Sequence, residues 1–307
     1  MAKLKCINDL LNEFQQQRPL RGGSLIITVF GDAISQHGGS VWLGSLINAL
    51  EPFGLNQRLV RTSVHRLIQE NWLVSTQIGR RSYYSFTDFG LRHYQKTAKR
   101  IYAAETPQWD GQWMLVIPVD VSDEERDELR KELRWLGYGA IASGVLARPG
   151  ANRQSLDETL QELNVDSKVV VMKAKTEELK VKSVLQNLSQ SCWNLDELES
   201  RYKAFVQRFK PVLTAISKAK VVEPEQCFQL RTLLLHEYRR ILLKDTELPD
   251  ELLPTSWAGN KALELTKSIY QLTCQGAEDY LCQTMESTSG HLPQASKEFY
   301  QRFGGLS

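Results

Sequence analysis

Cysteine is scarce in this chain: five among 307 residues, at 6, 192, 227, 274 and 282, an odd number with no Cys-x-x-Cys pair. That spacing argues against a disulfide framework or a thiolate zinc site and for reduced, mostly buried thiols. The five histidines are as uninformative. His236 and Glu237 begin like a zinc-protease motif, but Arg240 stands where the second histidine is required. No apolar run approaches the length of a bilayer span, and the opening MAKLKCINDLLNEF is too polar for a signal peptide. The expected location is therefore the cytoplasm. Paired carboxylates with a partner base, a nucleophile elbow and metal-ligand spacing are also missing, which argues against an enzyme.

What remains is an ordinary globular composition, 42% hydrophobic and 24% charged, long enough for two or three domains. The most informative stretch is NQRLVRTSVHRLIQENWLVSTQIGRRSYYSFT, residues 56–87. Leu59, Val60, Val64, Leu67 and Ile68 recur at helical spacing and define a buried face. The opposite side carries Arg58, Thr62, His65, Arg66 and Gln69, with Arg61 on the boundary and no carboxylate in the set. Long donors and small hydroxyls of this kind read base edges and phosphates. Asn56 suits the N-cap, and Gly54 a tight turn from a shorter helix before it.

Two short β-prone runs follow, Trp72 to Ile78 and Ser82 to Phe86, separated by Gly79, Arg80 and Arg81. They predict a hairpin with a basic tip. A helix, a turn, an exposed basic helix and a cationic hairpin together describe a winged helix-turn-helix bound to double-stranded DNA. Arg58, Arg61 and Arg66 are candidates for guanine or phosphate, Thr62, His65 and Gln69 for base edges, and Arg80 and Arg81 for the wing. Charge agrees: residues 56–100 hold nine Lys or Arg against Glu70 and Asp88, a surplus of seven, whereas the entire chain carries only +2.

Elsewhere, residues 1–23 read as a polar lead-in, and 24–105 as the winged domain with a linker helix after the wing. A βαββαβ order over 106–175 predicts a ferredoxin-like domain, and 176–307 read as mainly helical, with Pro211 expected to kink or end a long helix. The fold class is thus α+β and multi-domain. Gly137, Gly139 and Ala142 match a loose dinucleotide pattern, but in the reverse structural context. Asp120, at a predicted strand end, resembles the metal-binding carboxylate of small ferredoxin-like CRISPR nucleases, although a turn role explains it equally.

Six separated blocks carry a family resemblance: GGSVWLGSL (38–46), VRTSVHRL (60–67), GRRSYYSFTDFGLR (79–92), PQWDGQW (107–113), YRRILLKDTELPDELLPTSWAG (238–259) and FYQRFGGL (299–306). On these the chain resembles the PaaX family, transcriptional repressors of bacterial phenylacetic acid degradation operons. The resemblance implies a homodimer on a palindromic operator, released by phenylacetyl-CoA as allosteric effector, with no catalytic residue, metal or cofactor. An acyl-CoA needs cations for its phosphates and an apolar slot, for which Tyr238, Arg239, Arg240, Lys244 and Trp257 are candidates. A salt bridge to Asp245 or Glu247 plus a core tryptophan is the competing reading. A nuclease or acyl-CoA-acting enzyme is the alternative from another class.

Overall fold

A computed structural model describes residues 3–104, 108–150, 153–177 and 182–306. The chain divides into two compact units, and neither is continuous in sequence. One takes residues up to 105, then 202–243 and 258 onward; the other takes 106–201 and 244–257. This grouping differs from a linear division, since most of the C-terminal helices share a unit with the N-terminal segment.

The first unit begins with helix α1 (Lys5–Gln15), inside what the sequence presents as a polar lead-in. Ile7, Leu10, Leu11 and Phe14 lie at helical spacing and are buried. Helix α2 (Gly22–Asp32) is buried over nearly its whole length. Its first residue, Gly22, lies against α4 (Gln57–Gln69), where a Cβ would come within 2.7 Å of Ser63 Oγ. Strand β1 (Ser40–Trp42) and helix α3 (Leu43–Leu50) lead into α4. Strands β2 (Leu73–Ile78) and β3 (Arg81–Phe86) form the expected hairpin, and the sheet order is β1-β3-β2, all antiparallel. Helix α5 (Asp88–Ile101) follows, capped by Thr87 Oγ1, which accepts from Gly90 N at 2.9 Å.

In the second unit, β4 (Gln112–Pro118), α6 (Asp123–Trp135), β5 (Gly139–Ala142), β6 (Val145–Pro149), α7 (Arg153–Glu162) and β7 (Val169–Lys175) realise the expected element order. The antiparallel sheet runs β5-β6-β4-β7. One face of it supplies Met114, Val116 and Leu146 to a core shared with Leu129, Leu133, Leu156 and Leu160 of the two helices. Helix α6 starts at Ser122 through a reciprocal capping box with Glu125. After α8 (Lys182–Cys192), Trp193 packs on Gly139, where a Cβ would lie 2.7 Å from the ring, and donates to Gly137 O at 2.9 Å. That close approach explains Gly139, and a φ of +85° explains Gly137, without a nucleotide.

Helices α9 (Leu195–Lys218), α10 (Pro224–Leu242) and α11 (Ala258–Thr284) complete the helical part. Pro211 neither ends nor divides α9. It is exposed, so the carbonyl that loses its amide partner can turn to water. Helix α11, 27 residues long, is buried along one face from Ala258 to Leu281. A short hairpin, β8 (Glu286–Ser287) and β9 (Gly290–His291), and a 3-10 turn at Phe299–Gly304 close the chain.

A charged cluster missed by the sequence reading joins these parts of the first unit. Asp32 of α2 receives Arg231 Nε at 2.9 Å, Arg302 Nη1 at 2.8 Å, Tyr102 OH at 2.7 Å and Tyr270 OH at 2.9 Å. Arg231 also reaches Glu278 at 2.8 Å, and Glu278 faces His37 Nε2 at 3.0 Å. Burial alone would discharge Arg231, but Asp32, Tyr270 and Glu278 outweigh it and hold the group well above its ordinary value. Arg302 is held up likewise, by Tyr102, Tyr270 and Asp32 against burial.

Candidate nucleic-acid interface

Helix α4 is fixed at its N-terminus by a side-chain cap. Asn56 Oδ1 accepts from Leu59 N at 2.9 Å, which supplies the expected cap. Val60, Val64 and Leu67 are buried, and Leu59 and Ile68 are half-buried, so the apolar stripe faces inward. Packing therefore forces the other face outward. Arg58, Arg61, Thr62, His65, Arg66 and Gln69 are all exposed. Thr62 Oγ1 donates to Arg58 O at 2.9 Å, so its hydroxyl proton is used within the helix. Arg66 Nε meets Glu70 at 2.7 Å, the one carboxylate at the end of this helix.

The hairpin turn is the two-residue Gly79-Arg80, because Ile78 pairs with Arg81. Gly79 takes φ +60°, the left-handed conformation such a turn demands. Arg80 is exposed at the tip. Arg81 lies within β3 rather than in the turn, and its guanidinium is already engaged. It forms an ion pair with Glu286 and sits 4.3 Å from the centroid of the Trp42 ring. No local pattern announces Glu286, which is 205 positions away.

The candidate effector residues are divided between the two units. Tyr238, Arg239 and Arg240 belong to the first unit and Lys244 and Trp257 to the second. Arg239 is buried and bonds Ser24 O and Thr28 Oγ1, each at 3.2 Å. Burial pushes its pKa below the ordinary value. Tyr238 packs against Phe205 at 5.6 Å, and Trp257 is buried. Lys244 is exposed. Glu247 lies 3.8 Å from Arg148, and Asp245 accepts from the Glu247 amide at 2.9 Å. Asp120 is exposed after β4, and among the described residues no group of three metal-ligating side chains forms. Among them, too, no helix is long and apolar enough to cross a membrane.

Three family models cover most of the chain: a PaaX-like protein model over residues 21–90, the PaaX protein central Cas2-like domain over 106–186 and the PaaX-like protein C-terminal domain over 193–283. The transcriptional repressor PaaX of Escherichia coli (strain K12) is 38% identical over 290 residues, 94% of this chain and 92% of that protein. The chain belongs to the PaaX family. Within the family, the N-terminal model spans all eight candidate DNA-reading residues. A solved structure, the uncharacterized protein Rv0674 from Mycobacterium tuberculosis, shares the fold with a TM-score of 0.53 at 20% identity. That match covers 82% of this chain and 95% of the other.

Proposed function

We propose that this PaaX-family protein is a transcriptional repressor that binds operator DNA and performs no catalysis. On this reading α3 and α4 form a helix-turn-helix with α4 in the major groove, the β2-β3 hairpin is its wing, and the second unit is ferredoxin-like. The observation that carries it is the outer face of α4, where Arg58, Arg61, Thr62, His65 and Gln69 stand exposed, as does Arg80 at the hairpin tip. Such a face offers both phosphate neutralisation and base-edge donors.

A homodimer would set two such helices about 34 Å apart on one face of an imperfect palindrome. Repression then follows from occupying the promoter, in the cytoplasm. The effector proposed is phenylacetyl-CoA, which must bind the non-operator form more tightly, since a ligand indifferent to both forms shifts nothing. Among the candidate effector cations, exposed Lys244 is the better placed to meet a phosphate; Arg239 is committed to Ser24 and Thr28.

Footprinting on the region upstream of its own operon tests the reading. One protected, near-palindromic site should survive excess random DNA and disappear on adding phenylacetyl-CoA but not free CoA. Arg58→Ala, Arg61→Ala and Arg66→Ala should each weaken the complex by about 1 to 3 kcal/mol. Binding that is lost equally to random competitor would refute a specific repressor.

A further inference from the structure

Arg81 differs from the other candidate arginines: exposed and next to the wing tip, it is paired not with a carboxylate one turn along its own helix, as Arg66 is with Glu70, but with one 205 positions away. Its partner is not a chance neighbour on a mobile surface. Glu286 opens β8, directly after α11, and its backbone N–H donates to Ser45 Oγ of α3 at 3.1 Å. The hairpin returns so that Leu292 N donates to Met285 O at 3.0 Å, and both Met285 and Leu292 are buried. The carboxylate is thus anchored on two sides. Trp42 holds the guanidinium from its face, and Tyr83 and Glu286 both stabilise its charged form.

An arginine paired with a carboxylate brings no net charge to a phosphate, and the carboxylate itself repels the duplex. Both partners are nevertheless partly exposed, 48% and 34%, so the pair can exchange for another anion. We propose that Glu286 is a built-in competitor with DNA phosphate for Arg81, setting the affinity of the wing through the hairpin that follows α11. This rests on the DNA-binding reading and adds a regulatory residue to it. Displacement of β8 would carry Glu286 off Arg81 and give the wing a second cation beside Arg80. A shift in the C-terminal helices would thereby reach the DNA surface by a single ion-pair exchange.

The test is a double-mutant cycle of Arg81→Ala and Glu286→Gln, read as duplex affinity at several salt concentrations. Glu286→Gln keeps the backbone bond to Ser45 and removes only the charge. It should bind several-fold more tightly at low salt, with the slope of log affinity against log salt steeper by about one. The gain should be clearly smaller in the Arg81→Ala background, where only the carboxylate's own repulsion is lifted, and Arg81→Ala alone, which leaves that carboxylate unpaired, should weaken binding. Glu286→Ala, with circular dichroism on every variant, guards against a folding artefact. Unchanged or weaker binding by Glu286→Gln, or an equal gain without Arg81, overturns the competitor. If Arg58→Ala weakens the complex in the same assay, the DNA-binding reading survives that failure; if wild type forms no complex, both fall.

Discussion

Two arginine-rich regions of the first unit have opposite chemistry. On α4 the guanidinium of Arg66 is 77% exposed and meets only a carboxylate one turn along its own helix. Around Asp32 the guanidinium of Arg231 is fully buried and shared between two carboxylates, with Arg302 completing the set. The residue type is the same. What separates a surface that can receive an anion from a structural joint is whether distant elements deliver the compensating acids. Asp32 and Glu278 come from α2 and α11, so the joint ties the N-terminal segment to the C-terminal helices, while Arg58, Arg61 and Arg66 of α4 stay exposed.

The sharpest way to break this comparison is to remove one acid from the joint. Asp32→Ala leaves two buried guanidiniums and two phenols without their common acceptor, and should cost about 3 to 5 kcal/mol of stability. Urea denaturation measures it. Arg58→Ala on α4 should leave the same unfolding midpoint in place while weakening DNA binding. An Asp32→Ala protein as stable as wild type would mean that the joint contributes no more than the surface does.

Those two regions were not equally legible. Helix α4 could be read because burial of Val60, Val64 and Leu67 at a 3.6-residue period fixes where every remaining side chain points. The hairpin followed from Gly79 and the β-prone runs beside it, and α6 from Ser122 and Glu125, all local signals. Helix α1 was hidden because its four apolar residues are embedded in a polar segment. The joint was hidden for a stronger reason: Asp32 meets Arg302 across 270 positions, and no periodicity encodes a pairing of that range. The same holds for Arg81 and Glu286, and for Arg239, whose charge looked available for a ligand but is committed to α2. Charge counts place cations; they do not say which cations are already neutralised.

A smaller effect comes from His236, which packs edge-on to Phe14 at 5.6 Å and is fully buried. Burial, then the charges of Arg239 and Arg240, lower its pKa to about 3. The unfolded chain binds the proton near its ordinary value of about 6.5, so below that pH the unfolded state takes up protons that the folded state refuses. Stability is complete above about 6.5 and is lost as pH falls toward 3, by roughly 2 kcal/mol on reaching pH 5. Glu278 acts in the same direction at lower pH: burial raises it, but the bond to His37 and the charges of Arg231 and His37 prevail and hold it below the ordinary value. Glu237, raised by burial, acts oppositely, favouring the folded state where it is protonated. Subtracting the His236→Gln profile from wild type isolates the histidine, and superimposable profiles would show that this buried face tolerates charge as the outer surface does.

The smallest expected effect separates the two kinds of ion pair on the proposed DNA surface. Glu70 and Arg66 lie one turn apart on α4, so the pair moves with the helix and no displacement of another element can switch it. Glu70→Gln should shift the melting temperature by only about 1 °C, because an exposed pair of this kind contributes little beyond the entropy of holding it. It should tighten DNA binding slightly through the lost repulsion, and do so whether or not the C-terminal hairpin is displaced. A fall of several degrees in melting temperature would place Arg66 with Arg231 among the structural arginines. The outer face of α4 would then have to be divided, with Arg58 and Arg61 alone left to meet phosphate.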